Sequence, residues 1–102
     1  MTKLGHNIMI TLQQAQRVID ELNIGFDSHD FIEKYMILFE RNYVSMLVEK
    51  IESDQIFRTV NASIGKFLAD NQKELRIEKN GRESSKNVKG NDTENQSWIK
   101  TL

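Results

Sequence analysis

Apolar residues recur at helical spacing three times along this chain before it turns polar. Leu12, Ala15, Val18, Ile19 and Leu22 form the first stripe. Thr11 with Gln14 three residues later makes a capping box ahead of it, and Asn23-Ile24-Gly25 closes it, with Gly25 suited to a left-handed C-terminal position. Ser28 is the next N-cap candidate, with Asp27 and Asp30 near the positive end of the helix dipole. Ile32, Tyr35, Met36, Phe39, Tyr43, Met46, Leu47 and Ile51 then keep helical spacing. They predict one helix from His29 to about Glu52, with a break near Asn42 as the alternative. Ser53 caps a third helix with Asp54 in its first turn. Ile56, Phe57, Val60, Ile64, Phe67 and Leu68 make its stripe, which ends by Asn71. Gly65 inside it points to close approach of a neighbouring helix or to a turn, because glycine costs about 1 kcal/mol relative to Ala in a helix interior.

Beyond Asn71 the period changes. Leu75 and Ile77 alternate with Arg76 and Glu78, a short strand pattern. Asn80-Gly81 favours a type I′ turn. Residues 82–97 are polar apart from Val88 and are expected to form a long mobile loop. Ser97 to Lys100 would return as a strand with Trp98 anchored in the core. Residues 1–10 carry no clear pattern and are expected to be partly ordered. The prediction is one small α+β domain over residues 1–102, mostly α, with a three- or four-helix core followed by a short β-hairpin or wing.

Composition narrows the function classes. Apolar residues make up 38% of the chain and charged residues 28%, a soluble globular balance. Cys is absent, which removes disulfide scaffolds, thiolate zinc sites and cysteine nucleophiles. Without disulfides, a signal-peptide pattern or an apolar run long enough to span a bilayer, a cytoplasmic protein with no membrane partner is expected. The sequons at Asn61, Asn91 and Asn95 then read as chance. His6 and His29 are the only histidines, and no HExxH, GxSxG or P-loop pattern occurs. His29-Asp30 reads as polarity of a helix N-terminus, and Asp27, Asp30 and Glu33 as dipole-compensating acids rather than a metal cluster. A non-enzymatic binding module is therefore expected, with no cofactor, metal or small-molecule substrate.

Charge is unevenly placed. The chain carries a net −1, yet Lys73–Asn91 holds six basic residues against three acidic ones. Such a patch suits phosphate contacts, because each positioned Lys or Arg displaces counterions from a nucleic acid. Asn61, Ser63, Lys66, Asp70 and Asn71 occupy the third helix outside its apolar stripe. Of these, Asn61, Ser63 and Lys66 are the candidates for reading a nucleic acid. Lys66, Lys73, Arg76, Lys79, Arg82, Lys86 and Lys89 are the candidates for backbone contacts. A competing reading uses the aromatic and Met stripe of the second helix: Tyr35, Met36, Phe39, Tyr43 and Met46 would bind a protein partner or form a homodimer.

The succession SIGKFLADN, LRI, a polar loop and SWIK resembles the C-terminal half of winged helix-turn-helix domains, over the stretch from Asn61 to Leu102. The resemblance implies that Ala62–Asn71 belongs to the recognition helix and that Asn80–Asn91 forms the wing. It implies a DNA-binding, regulatory role. The Asn/Lys/Ile/Glu-rich composition resembles that of bacterial or phage accessory proteins.

Overall fold

The computed structural model describes residues 9–101. It is α+β: α1 (Leu12–Asp20), β1 (Gly25–Asp27), α2 (Ser28–Leu38), α3 (Glu40–Glu49), α4 (Ile56–Asp70), α5 (Gln72–Leu75), β2 (Ile77–Lys86) and β3 (Asp92–Lys100). The strands form one antiparallel sheet in the order β1-β3-β2. Most of the expected partly ordered segment, residues 1–8, lies outside the described residues. Its last residue, Ile10, is buried in the core.

The helices start where local hydrogen bonding dictates. Thr11 caps α1, its hydroxyl accepting from the Gln14 amide (3.1 Å) while the Gln14 side chain accepts from the Thr11 amide (3.2 Å). Asp27, not Ser28, caps α2, through the reciprocal pair Asp30 N to Asp27 Oδ1 (2.8 Å) and Asp27 N to Asp30 Oδ2 (3.0 Å). Ser53 does not cap α4 either. Gln55 does, without a side-chain bond, and Ser53 Oγ accepts from the Gln55 amide one turn earlier. Gly25 is not a left-handed helix terminus. It pairs with Ile99 in β1, because burial of Phe26 opposite Trp98 draws this segment into the sheet.

The long second helix is two helices, and the break falls at Phe39 (φ −131°, ψ 51°) rather than at Asn42. The bend folds the aromatic stripe onto itself. The Tyr35 ring lies 6.4 Å from Phe31, 5.6 Å from Phe39 and 6.4 Å from Tyr43, the last edge-on. Tyr35, Tyr43 and Met46 are buried, and Met36 and Phe39 pack partly buried against the same core. This stripe is core in the single chain, so these five residues do not form the open docking face expected of them.

Arg76 adopts the left-handed conformation (φ 56°), which reverses the chain from α5 into β2. The expected long loop over 82–97 is mostly strand. Residues 82–86 pair with 92–96, leaving a short turn at residues 87–91. Both faces of this ribbon are largely exposed, so no apolar alternation marks it in the sequence. Asn80-Gly81 does not close the hairpin. Gly81 (φ 85°) sits in a β-bulge, where β2 gains one residue on β3 between the Lys79–Trp98 and Arg82–Gln96 pairs. The turn is made by Asn87, whose Oδ1 accepts from the amides of Lys89 and Asn91 (3.0 Å each), and by Gly90 (φ 82°).

Polar groups clamp the hairpin to the first turn of α2. The Trp98 indole N–H donates to Ser28 Oγ (2.9 Å), and Ser28 Oγ donates to the Gln96 carbonyl (3.3 Å). Asn95 Oδ1 accepts from the His29 amide (2.9 Å), one of the donors a helix N-terminus leaves unpaired. Its Nδ2 donates to the Glu83 carbonyl (3.0 Å) and to Ser85 Oγ (3.2 Å).

Replacing Asn95 with Ala strands the His29 amide and the Glu83 carbonyl, and should cost about 2 kcal/mol, measured as a lower urea midpoint at unchanged slope. Burial pushes the Tyr35 hydroxyl pKa from 10.0 up to about 12. The fold therefore favours the protonated phenol. The unfolded chain ionises first, and stability that is full below about pH 10 is lost as pH rises towards 12. This loss amounts to at most about 2.7 kcal/mol. Urea unfolding at pH 9 and pH 11.5 should show a smaller loss in Tyr35→Phe than in the parent; equal losses would mean that Tyr35 is not the group responsible.

Candidate functional site

The β2–β3 hairpin faces α4 across a cleft of about 750 Å³. On the helix side the lining residues are Phe57, Arg58, Asn61, Ala62, Gly65 and Ala69. Arg58, Ala62, Gly65 and Ala69 follow the i, i+4, i+7, i+11 spacing of one helix face. The strands contribute Lys79, Arg82 and Gln96, and the turn contributes Asn87, Lys89 and Asn91. Ser28, His29 and Asn95, members of the clamp, also line it. Near the turn the walls converge: Lys89 Nζ lies 5.8 Å from the Phe57 ring centroid, and Val88 packs against the core.

Gly65 does not mark a close helix approach. A Cβ built on it meets no heavy atom within 4 Å. The missing side chain leaves space in the cleft wall rather than making room for a neighbouring backbone.

Four cations line the cleft, Arg58, Lys79, Arg82 and Lys89, against one carboxylate, Glu94. Among the described residues none of the four has a carboxylate oxygen within 4.0 Å, whereas Lys66 pairs with Asp70 (2.9 Å) and Lys86 with Asp92 (3.5 Å). Arg58 keeps only a long bond to Gln55 Oε1 (3.5 Å). Asn61 is fixed from behind, because the Tyr43 hydroxyl donates to its Oδ1 at 2.7 Å. Burial raises the Tyr43 pKa, which keeps that hydroxyl protonated and donating. The Asn61 amide group is thereby left as a donor.

Where the clamp borders the cleft, His29 Nδ1 lies 2.8 Å from Ser85 Oγ and its Nε2 3.4 Å from Thr93 Oγ1. Burial acts to raise the pKa of Asp27, but Ser85, the Asp30 amide, Asn95 and His29 together outweigh it and hold the carboxyl below its usual range. Burial, with the charges of Asp27 and Glu83, pushes Asp30 up. Ser85 Oγ also accepts from Asn95, so the His29–Ser85 contact is continuous with the clamp. Among the described residues no three His, Asp or Glu side chains are grouped so as to hold a metal ion, and no helix is long and apolar enough to cross a membrane.

The structure thus divides the residues singled out from the sequence. Asn61, Lys79, Arg82 and Lys89 meet at the cleft. Lys66 and Lys86 are ion-paired, and Ser63 Oγ donates to the Val60 carbonyl (2.6 Å). Lys73 and Arg76 are exposed around α5 and do not line the cleft. Arg58 was missed, as were Asn87 and Asn91. The signal for Arg58 was available: it is the only charged member of an otherwise small-residue face of α4. The large apolar side chains left exposed on α3 and the turn after it are Val44, Val48 and Ile51, not members of the aromatic stripe. Comparison with known protein families, with curated proteins and with solved structures gives no match.

Proposed function

We propose that this protein is a non-enzymatic module of the cytoplasm that binds a nucleic acid by its phosphate backbone in the cleft between α4 and the hairpin. The observation that carries this reading is the set of four cations without carboxylate partners among the described residues, Arg58, Lys79, Arg82 and Lys89, gathered on both walls of one concave surface. Such groups gain affinity by releasing condensed counterions, at no cost in broken ion pairs. The resemblance of the C-terminal half to a winged helix supports the same reading. In it α4 is the helix ahead of the wing and β2–β3 is the wing, which suits a regulatory protein of a bacterium or phage.

The triple variant Arg58→Ala, Lys79→Ala, Arg82→Ala should bind labelled oligonucleotides, single-stranded or annealed, more weakly. The slope of log affinity against log salt should become shallower by about 2 for a single strand and about 3 for a duplex. Fluorescence anisotropy across a salt series measures both, with Lys66→Ala, Lys86→Ala as the ion-paired control that changes little. An unaltered slope in the triple variant would remove the cleft from nucleic-acid binding.

A second reading, a homodimer, rests on a different surface. Val44, Val48 and Ile51 are 49%, 61% and 60% exposed and follow one another at i, i+4, i+7. Sedimentation equilibrium should then give a dimer that Val48→Asp converts to a monomer of unchanged circular dichroism. A parent protein that is monomeric at all concentrations would end this reading.

A further inference from the structure

From the way the hairpin closes over α4, we infer that the nucleic acid taken by this cleft is single-stranded. The inference rests on the nucleic-acid reading above and changes what that reading asks of α4. To read a duplex, a helix must enter a major groove about 12 Å wide, and the helix with its side chains already fills about 10–12 Å. The face of α4 that carries Arg58, Asn61, Ala62 and Gly65 is not free to do this. It looks into the cleft, with the hairpin opposite and Lys89 over Phe57 at its end. The other polar side of α4 offers Ser63, bonded to its own helix, and Lys66, neutralised by Asp70 at 2.9 Å.

The same geometry suits one strand. A volume of about 750 Å³ falls within the roughly 300–1,000 Å³ of small-molecule pockets, room for unpaired nucleotides but not for a double helix. Cations on both walls, Arg58 on α4 and Lys79 and Arg82 on β2, can follow one phosphodiester chain between them. A single strand also exposes base edges that a duplex keeps paired. The cleft meets these with the Asn61 amide, fixed as a donor by Tyr43, and with the side chain of Asn91.

The test compares fluorescein-labelled twelve-nucleotide thymidine and mixed-sequence strands with an annealed duplex of equal length, by anisotropy at low and at physiological salt. The parent protein should bind the strands at least about tenfold tighter than the duplex, with a salt slope near −3 for four phosphate contacts. Gly65→Leu probes the cleft directly. The space beside Gly65 is open, so the helix should keep its dichroism and thermal midpoint while the new side chain obstructs the cleft and lowers strand affinity at least about tenfold. Duplex binding as tight as strand binding would overturn the inference and leave the nucleic-acid reading standing. Displacement of the strand by a nucleoside monophosphate at comparable concentration would do the same, and undiminished strand binding by a folded Gly65→Leu would remove the cleft from both readings. Binding of neither form would end both.

Discussion

The Trp98 indole N–H donating to Ser28 Oγ at 2.9 Å joins two residues seventy positions apart, and the placement of the hairpin depends on it. Beyond Ile77 and Trp98 the ribbon has little apolar surface to hold it against the helices, and a two-stranded ribbon alone is marginal in water. Its position is instead set at two points. At the base, Trp98 is buried among the helices while Ser28, His29 and Asn95 knit β3 to the first turn of α2. At the far end, Val88 packs on the core and Lys89 reaches over Phe57. A ribbon held at both ends encloses space between them. The cleft follows from how the hairpin is fastened, not from a separate element built to make it.

The distribution of carboxylates makes that space positive in a chain whose net charge is −1. Asp27 and Asp30 are used in the capping box of α2, Glu21 pairs with Arg17 and Lys34, Asp70 with Lys66, and Asp92 with Lys86. These acids are held at helix termini, by an i, i+4 neighbour or, for Asp92, across the hairpin, and the cleft is lined by four cations and Glu94. Screening cuts off exposed charges beyond about 10 Å at moderate salt, so a ligand in the cleft responds to these local groups rather than to the whole-chain sum. Overall charge is a poor guide here for the same reason.

What could be read from the sequence follows the range of each interaction. The capping box at Thr11 and Gln14, the stripe of α4 and the anchoring of Trp98 are local or compositional signals, and all three recur in the fold. The break at Phe39 has no glycine or proline to announce it. It brings the Tyr35 and Tyr43 rings to 6.4 Å, where a straight helix would set them about 12 Å apart along its axis, a tertiary packing. The positive φ at Gly81 was legible, but its use in a bulge rather than a turn depends on register with β3. The three-residue strand β1 is too short to carry a period. At the site, the basic run announced Lys79, Arg82 and Lys89. Nothing in it distinguished them from Lys86, which Asp92 neutralises across the hairpin, or linked them to Arg58 from another element.

Gly65 separates a structural account of this cleft from a functional one. A glycine inside a fifteen-residue helix costs about 1 kcal/mol against alanine, and such residues are normally explained by a backbone or ring packed too close for a Cβ. Here the Cβ would meet nothing within 4 Å, so no packing within the described fold requires the glycine. The same face continues in Ala62 and Ala69, which also line the space between α4 and the hairpin. A helix with a glycine where a larger residue would fit, directly opposite a hairpin fastened at both ends, leaves open the groove that the proposed ligand would occupy.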